Sequence, residues 1–416
     1  MNTEILQQVI ADQKLMISRK NRGIPRIINS AVHLNSNMIT VISGVRRSGK
    51  STLMLQLADQ YESFHFITFD DERLINFTVN DFNAMLIEMK RSGESRTIVM
   101  DEIQEVPGWE RFARRIYDEG YKVIITGSNA KLLSSELATH LTGRYLKIEL
   151  YPFSFAEFLS FKKIDPLEKT SDTIAKVLSA FDEYLLFGGF PEYLKTKELE
   201  ILKRIYDDIV YRDLIVRFGI RNVNGFKNLS QYIFTNFTSE TGYLPLAKLL
   251  GFNSSTSIKD YLNILSEGYL IFELTKFDFS LKRQYTSNRK LYVIDNGLRN
   301  TVSFRTSADM GRLLENTVFL ELKRRGHEVW FYKSPTGQEV DFLVNPNHPT
   351  LIQVCYELQN PKTRQREISS LSAGMKELNM NQGIILTKND DEVINDNNLS
   401  ISVIPVWKWL LSSDEY

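Results

Sequence analysis

The octet Gly44-Val45-Arg46-Arg47-Ser48-Gly49-Lys50-Ser51 constrains this chain more than any other stretch. It matches G-x-x-x-x-G-K-[ST], follows the apolar run 38–43 and opens the helical stretch 52–60. That strand–loop–helix order is the context in which such a loop cradles phosphates. The glycines let successive backbone N–H groups curl round an anion, and the N-terminus of the following helix adds positive potential. Lys50 is placed to reach the β- and γ-phosphates of a nucleotide and Ser51 to set a hydroxyl on Mg²⁺. The expected phosphate-binding segment therefore runs from Gly44 to Thr52.

The surroundings suit such a loop. Runs at 38–43, 65–69, 97–100 and 122–126 read as strands alternating with helical segments, which predicts a parallel α/β sheet. Thr97-Ile98-Val99-Met100 ends in Asp101-Glu102. In that position Asp101 is expected to hold Mg²⁺ through water, and Glu102 to polarise the water that attacks a γ-phosphoryl group. The run 122–126 closes on Thr126-Gly127-Ser128-Asn129, at the carboxyl edge where ligands bind in such sheets. Ser128 is a candidate γ-phosphate sensor, with loop capping as the alternative. Arg144 is a candidate arginine finger, in cis or from a neighbouring subunit, with a surface salt bridge as its alternative.

Length and composition bound the rest. A chain of 416 residues suggests two to four domains. Its 51 basic and 51 acidic residues cancel, so no global charge favours a nucleic acid or a membrane. Locally, residues 1–50 hold eight basic residues against Glu4 and Asp12, where a phosphate ligand would benefit. One cysteine, Cys355, excludes an intramolecular disulfide or a multi-cysteine zinc site. With no apolar run of 18 residues, the chain is expected to be cytoplasmic and without a membrane partner.

After Pro152 the pattern turns helical to about residue 240, interrupted at Phe187-Gly188-Gly189-Phe190-Pro191. Two short helices flank Gly251-Phe252, as in a helix-turn-helix or winged-helix unit. A helix at 311–325 and strands near 328–332, 339–344, 350–356, 383–387 and 401–406 suggest a second, smaller α/β domain.

The loop 44–51, the strand 98–104, the segment 125–128 and Leu150-Tyr151-Pro152-Phe153-Ser154-Phe155-Ala156-Glu157-Phe158 together resemble the prokaryotic AAA-type ATPases that carry a C-terminal DUF4143 domain. The stretches 187–193 and 290–298 and Leu314-Glu315-Asn316 extend the resemblance over nearly the whole chain. It implies an α/β fold with a P-loop NTPase, AAA-like parallel-sheet core (1–155), a helical lid (156–240), a winged-helix unit (241–280) and a PD-(D/E)xK nuclease-like domain (281–416). It also implies ATP as the nucleotide, and double-stranded DNA as a suspected partner.

A working nuclease of that type gathers a helix acid, a strand Asp and a Glu-x-Lys around a metal. Glu315 and Asp341 match, but Gln353 and Cys355 stand where the second acid and the lysine belong. A neutral amide is a poor ligand for a hard cation, so nuclease activity is not expected. The overall expectation is a Mg²⁺-dependent ATPase whose nucleotide state moves the C-terminal domains, with DNA as the partner. The alternative is a slow nucleotide switch that binds another protein or a second copy of itself.

Overall fold

The computed structural model describes residues 1–28, 30–127, 141–168, 170–303, 310–396 and 398–412. The chain divides into two compact units, residues 1–151 and 152–416. Among the described residues no helix is long and apolar enough to cross a membrane.

The first unit is built on five parallel strands: β1 (Ile39–Gly44), β2 (His65–Thr68), β3 (Thr97–Asp101), β4 (Lys122–Gly127) and β5 (Tyr145–Leu150). Their order in the sheet is β2-β3-β4-β1-β5. Both faces are covered, so the inner strands β1 and β3 are buried at every position and apolar at consecutive positions rather than every second one. Val41, Ile98, Met100 and Ile125 face a core shared with Leu6, Phe82, Met85 and Phe112. Their neighbours Ile42, Val99 and Ile124 face the opposite core, with Leu53, Met54 and Leu57 of the helix Lys50–Ala58. The sheet is the α/β P-loop arrangement expected, with β4 lying between the strand that feeds the loop and the one that ends in the acids.

The basic opening of the chain is used as structure. Arg22 grips Asp59 through Nε and Nη2, at 2.6 and 3.0 Å. Arg26 donates to the carbonyls of Ser48 and Tyr151, each at 2.8 Å, and so braces the phosphate loop against the end of β5.

The second unit begins with Ser154 and Glu157, which form a reciprocal capping box: the Ser154 N–H donates to Glu157 at 2.8 Å and the Glu157 N–H to Ser154 Oγ at 3.2 Å. The helices Phe155–Lys162, Ser171–Phe187, Pro191–Thr196, Leu199–Asp208 and Val223–Thr235 follow, with a π-helical segment over Ile209–Val216. Next come β6 (Glu240–Thr241), the helices Tyr243–Leu249 and Ser255–Glu267, β7 (Ile271–Thr275) and β8 (Arg289–Val293); the three strands form an antiparallel sheet in the order β6-β8-β7. Beyond the helices Asn296–Val302 and Met310–Arg324 lies a mixed sheet of β9 (Val329–Lys333), β10 (Glu339–Val344), β11 (Thr350–Val354), β12 (Gln382–Thr387), β13 (Glu392–Asp396) and β14 (Leu399–Pro405), in the order β13-β14-β12-β11-β10-β9. The helix Pro361–Glu377 packs on it through Leu371 and Met375.

Three of the sequence motifs meet in one buried polar core of this unit. Asp295 accepts from the Gly189 N–H at 2.8 Å and caps the helix Asn296–Val302 by accepting from the Leu298 N–H at 2.9 Å. Asn316 accepts from the Val293 N–H and donates to the Val293 carbonyl and to Asn296 Oδ1, all at 3.0 Å. A Cβ on Gly188 would land 2.1 Å from Asp295, and one on Gly189 2.3 Å from the Phe153 carbonyl oxygen. The Gly-Gly pair is therefore dictated by close approach of the backbone to this core.

Candidate functional site

The carboxyl edge of the first sheet brings the loop and the acids together. Gly44, the last residue of β1, has φ +143°, and a Cβ there would sit 2.1 Å from the Leu150 carbonyl oxygen. Gly49 (φ +98°) and Arg47 (φ +66°) turn the loop through left-handed backbone before the helix starts at Lys50. Lys50 is buried and donates to the carbonyls of Gly44 and Val45, each at 3.1 Å. Its ammonium thus lies folded over the loop. Ser48 is fully buried, and its hydroxyl has no hydrogen-bond partner among the described residues. A buried polar atom left unsatisfied is costly, and a phosphate oxygen in the loop would relieve it.

Asp101 ends β3 beside the loop. It accepts from the Thr126 hydroxyl and is also bonded to Ser51. Burial, with the neighbouring Glu102, pushes its carboxyl above the ordinary Asp range, against the pull of those two hydroxyls. Glu102 takes the left-handed conformation, φ 50° and ψ 43°, which a non-glycine residue adopts only when its surroundings force it. Its N–H donates to Thr126 Oγ1 at 3.2 Å, and its carboxylate accepts from Gln104. Thr126 therefore ties both acids to β4.

A hydroxyl and a carboxylate are the hard oxygen donors that suit Mg²⁺, an ion that keeps several waters and shares substrate phosphates. Ser51 and Asp101 fit that description. Among the described residues no group of three or more His, Cys, Asp or Glu side chains is arranged to hold a metal.

Two sequence expectations fare differently. Ser128 lies outside the described residues. Arg144 is not brought to the phosphate loop within one chain. Ile39 pairs with Tyr145, and Gly44 with Leu150, so Arg144 stands at the amino edge of the sheet. That is the length of β1 away, about 16 Å at ~3.3 Å per residue. There Nε faces Asp118 at 3.5 Å. A cis arginine finger is excluded by this placement. Thr126, Gln104 and Arg26 were not singled out in sequence; Thr126 alone had a signal, as the polar end of an apolar strand.

In the second unit Glu315 and Asp341 do converge, but on a lysine. Lys290 Nζ lies 3.2 Å from Glu315, 3.0 Å from Asp341 and 2.7 Å from Glu339. Gln353 accepts from the Asp341 N–H at 3.3 Å and donates to Glu367 at 2.8 Å. Cys355 donates to the Glu357 carbonyl, and burial pushes its thiol up to about 11.

The model of an AAA domain matches residues 36–159, and models of two domains of unknown function, DUF8612 and DUF4143, match 178–309 and 310–409. An uncharacterized protein of Methanocaldococcus jannaschii is 40% identical over 430 aligned positions, covering 98% of this chain and 95% of that protein. An uncharacterized protein of Haemophilus influenzae is 33% identical, covering 83% and 88%. Among solved structures, Aeropyrum pernix Orc1 in complex with DNA aligns with 67% of this chain and 93% of its own at 12% identity and a TM-score of 0.33. AMPPCP-bound DnaA from Aquifex aeolicus aligns with 57% and 86% at 12% identity and a TM-score of 0.26. With its relatives matched along nearly their full length and its two ends matched by those models, the chain belongs to the family of AAA-domain proteins that carry a DUF4143 domain.

Proposed function

We propose that this protein binds and hydrolyses ATP in a Mg²⁺-dependent manner at the carboxyl edge of its parallel sheet. The observation that carries this reading is the convergence of Lys50, Ser51, Asp101 and Glu102 on one loop, with the buried Ser48 hydroxyl lacking a partner there among the described residues. The backbone N–H groups from Val45 to Thr52 and the Lys50 ammonium receive the phosphates. Lys50 exchanges its carbonyl partners for phosphate oxygens. Ser51 and Asp101 hold Mg²⁺, which when bound neutralises charge on the β- and γ-phosphates. Glu102 orients the attacking water and accepts its proton, which requires its carboxylate to leave Gln104. A sensing role for Ser128 belongs to the same reading, and Arg144 enters it only as a residue offered to a neighbouring copy.

For the output we favour nucleotide-linked movement of the second unit, with double-stranded DNA as its partner. The order β6, two helices, β7, β8 supports a winged helix, and the short helix Leu281–Thr286 that joins β7 to β8 exposes Lys282 and Arg283 beside Phe279 and Tyr285. The test is ATP turnover with and without duplex DNA. Stimulation that weakens with salt, and is lost when Lys282 and Arg283 become Glu, supports DNA coupling. Turnover indifferent to DNA, with an elution volume that shifts between ADP and ATP, leaves the protein-binding switch.

A further inference from the structure

We infer that Lys290 is a built-in counter-cation. Its ammonium stands where Glu315, Glu339 and Asp341 would otherwise gather a divalent metal, and its removal converts the cluster into a divalent-cation site.

Three elements converge to make the cluster. Lys290 and Tyr292 come from β8 of the three-stranded sheet, Glu315 from the helix Met310–Arg324, and Glu339 and Asp341 from β10 of the six-stranded sheet. The pairing of β10 with β9 slips by one residue between Val340 and Leu343. Such a bulge re-aims the side chains at the slip, and here that side chain is Asp341. One Asp341 oxygen faces Lys290 at 3.0 Å while the other accepts from the Val354 N–H at 3.0 Å. Glu315 Oε1 accepts from both Lys290, at 3.2 Å, and the Tyr292 hydroxyl, at 2.7 Å. An ammonium has three N–H bonds, and three carboxylates meet them.

Burial sharpens the argument. Lys290 is 3% exposed, and burial alone would strip its proton; the surrounding carboxylates overcome that and hold the ammonium charged. Glu315, in turn, is pushed up by burial and held down by Lys290. Each side therefore depends on the other. Remove the lysine and buried carboxylate oxygens are left facing one point, a hard donor set that suits Mg²⁺ or Mn²⁺. Glu339, at 32% side-chain exposure, gives a path by which water and an ion enter. The cation a nuclease would recruit from solution is supplied here by the chain itself. In the same stroke it fastens β8 to β10 and to the helix Met310–Arg324.

The test counts Mn²⁺ by the electron paramagnetic resonance signal of the free ion. Asp101→Asn is carried in every protein to silence the nucleotide site. The Asp101→Asn chain is expected to take up no Mn²⁺. Adding Lys290→Met is expected to bring uptake of one Mn²⁺ per chain and a melting temperature about 10 °C lower that Mn²⁺ restores. Adding Asp341→Asn should abolish that uptake. Mn²⁺ binding by the chain with Lys290 intact, lost with Asp341→Asn, overturns the inference, as does a folded Lys290→Met chain that takes up none. Should Lys290→Met not fold, Lys290→Met/Glu315→Gln/Asp341→Asn decides. Recovery of folding supports the counter-cation, and failure to recover overturns it.

Discussion

Gln13 brackets Thr68: its Oε1 accepts from the Thr68 N–H at 2.8 Å and its Nε2 donates to the Thr68 carbonyl at 3.1 Å. The side-chain amide behaves as one residue of an absent neighbouring strand, and so closes the edge of the sheet at β2. Gln13→Leu keeps the volume and takes from both half-buried backbone groups the partner they have. The expected cost is about 1–3 kcal/mol, read as a lower urea midpoint with an unchanged slope. An unchanged midpoint would show that water replaces the amide.

Asp295 is expected to be a structural carboxylate with a distinctive pH signature. Burial raises it to about 6, against the backbone N–H groups that pull it down. Because the folded value lies above the ordinary 3.8, its contribution to stability is fully present below that lower value and is lost as pH rises through about 6. Asp295→Asn turns an N–H donor toward a backbone N–H and loses one acceptor. It is expected to lose about 1–3 kcal/mol near neutral pH and to flatten the stability profile between those two values. A variant with the wild-type profile would contradict this.

On the proposed reading, Asp101 contributes an acid limb to nucleotide binding. Its carboxyl sits above the ordinary Asp range through burial, so protonation competes with Mg²⁺ at a higher pH than for an exposed Asp. Titration calorimetry of Mg·ATP is expected to show affinity falling as pH drops, from a pH above the ordinary Asp range. Asp101→Asn should bind more weakly throughout and with a shallower fall, the part that remains coming from protonation of the nucleotide's own γ-phosphate. A pH-independent affinity in wild type would remove Asp101 from the metal site.

Much of this was legible in the sequence, and the exceptions have physical causes. Strands β1 to β4 are buried on both faces and read as short runs dominated by Ile, Val, Phe and Met, with Thr40 a polar interruption in β1. β5 escaped notice because Tyr145, Leu146, Lys147 and Glu149 remain partly exposed at the sheet edge, and β13 because Glu392–Asp396 is almost wholly exposed. The helix Pro361–Glu377 carried a readable start in Asn360, whose side chain accepts from the N–H groups of Lys362 and Thr363. Glu315 and Asp341 were found by motif, yet their cation, Lys290, lies 51 positions before Asp341 on a strand of another sheet. No local spacing encodes that encounter. That Arg144 cannot act in cis was illegible for a related reason, since a position along the sequence does not state which edge of the sheet it will occupy.

Steady-state ATP turnover of wild type against Glu102→Gln, with nucleotide binding measured on both, tests the proposed hydrolysis at Glu102 most directly. Wild type is expected to turn over ATP with Mg²⁺. Glu102→Gln should bind ATP comparably and lose at least about 100-fold in rate. Equal turnover in the two proteins, or none in wild type that binds ATP, would contradict the assignment of this edge as a hydrolytic site.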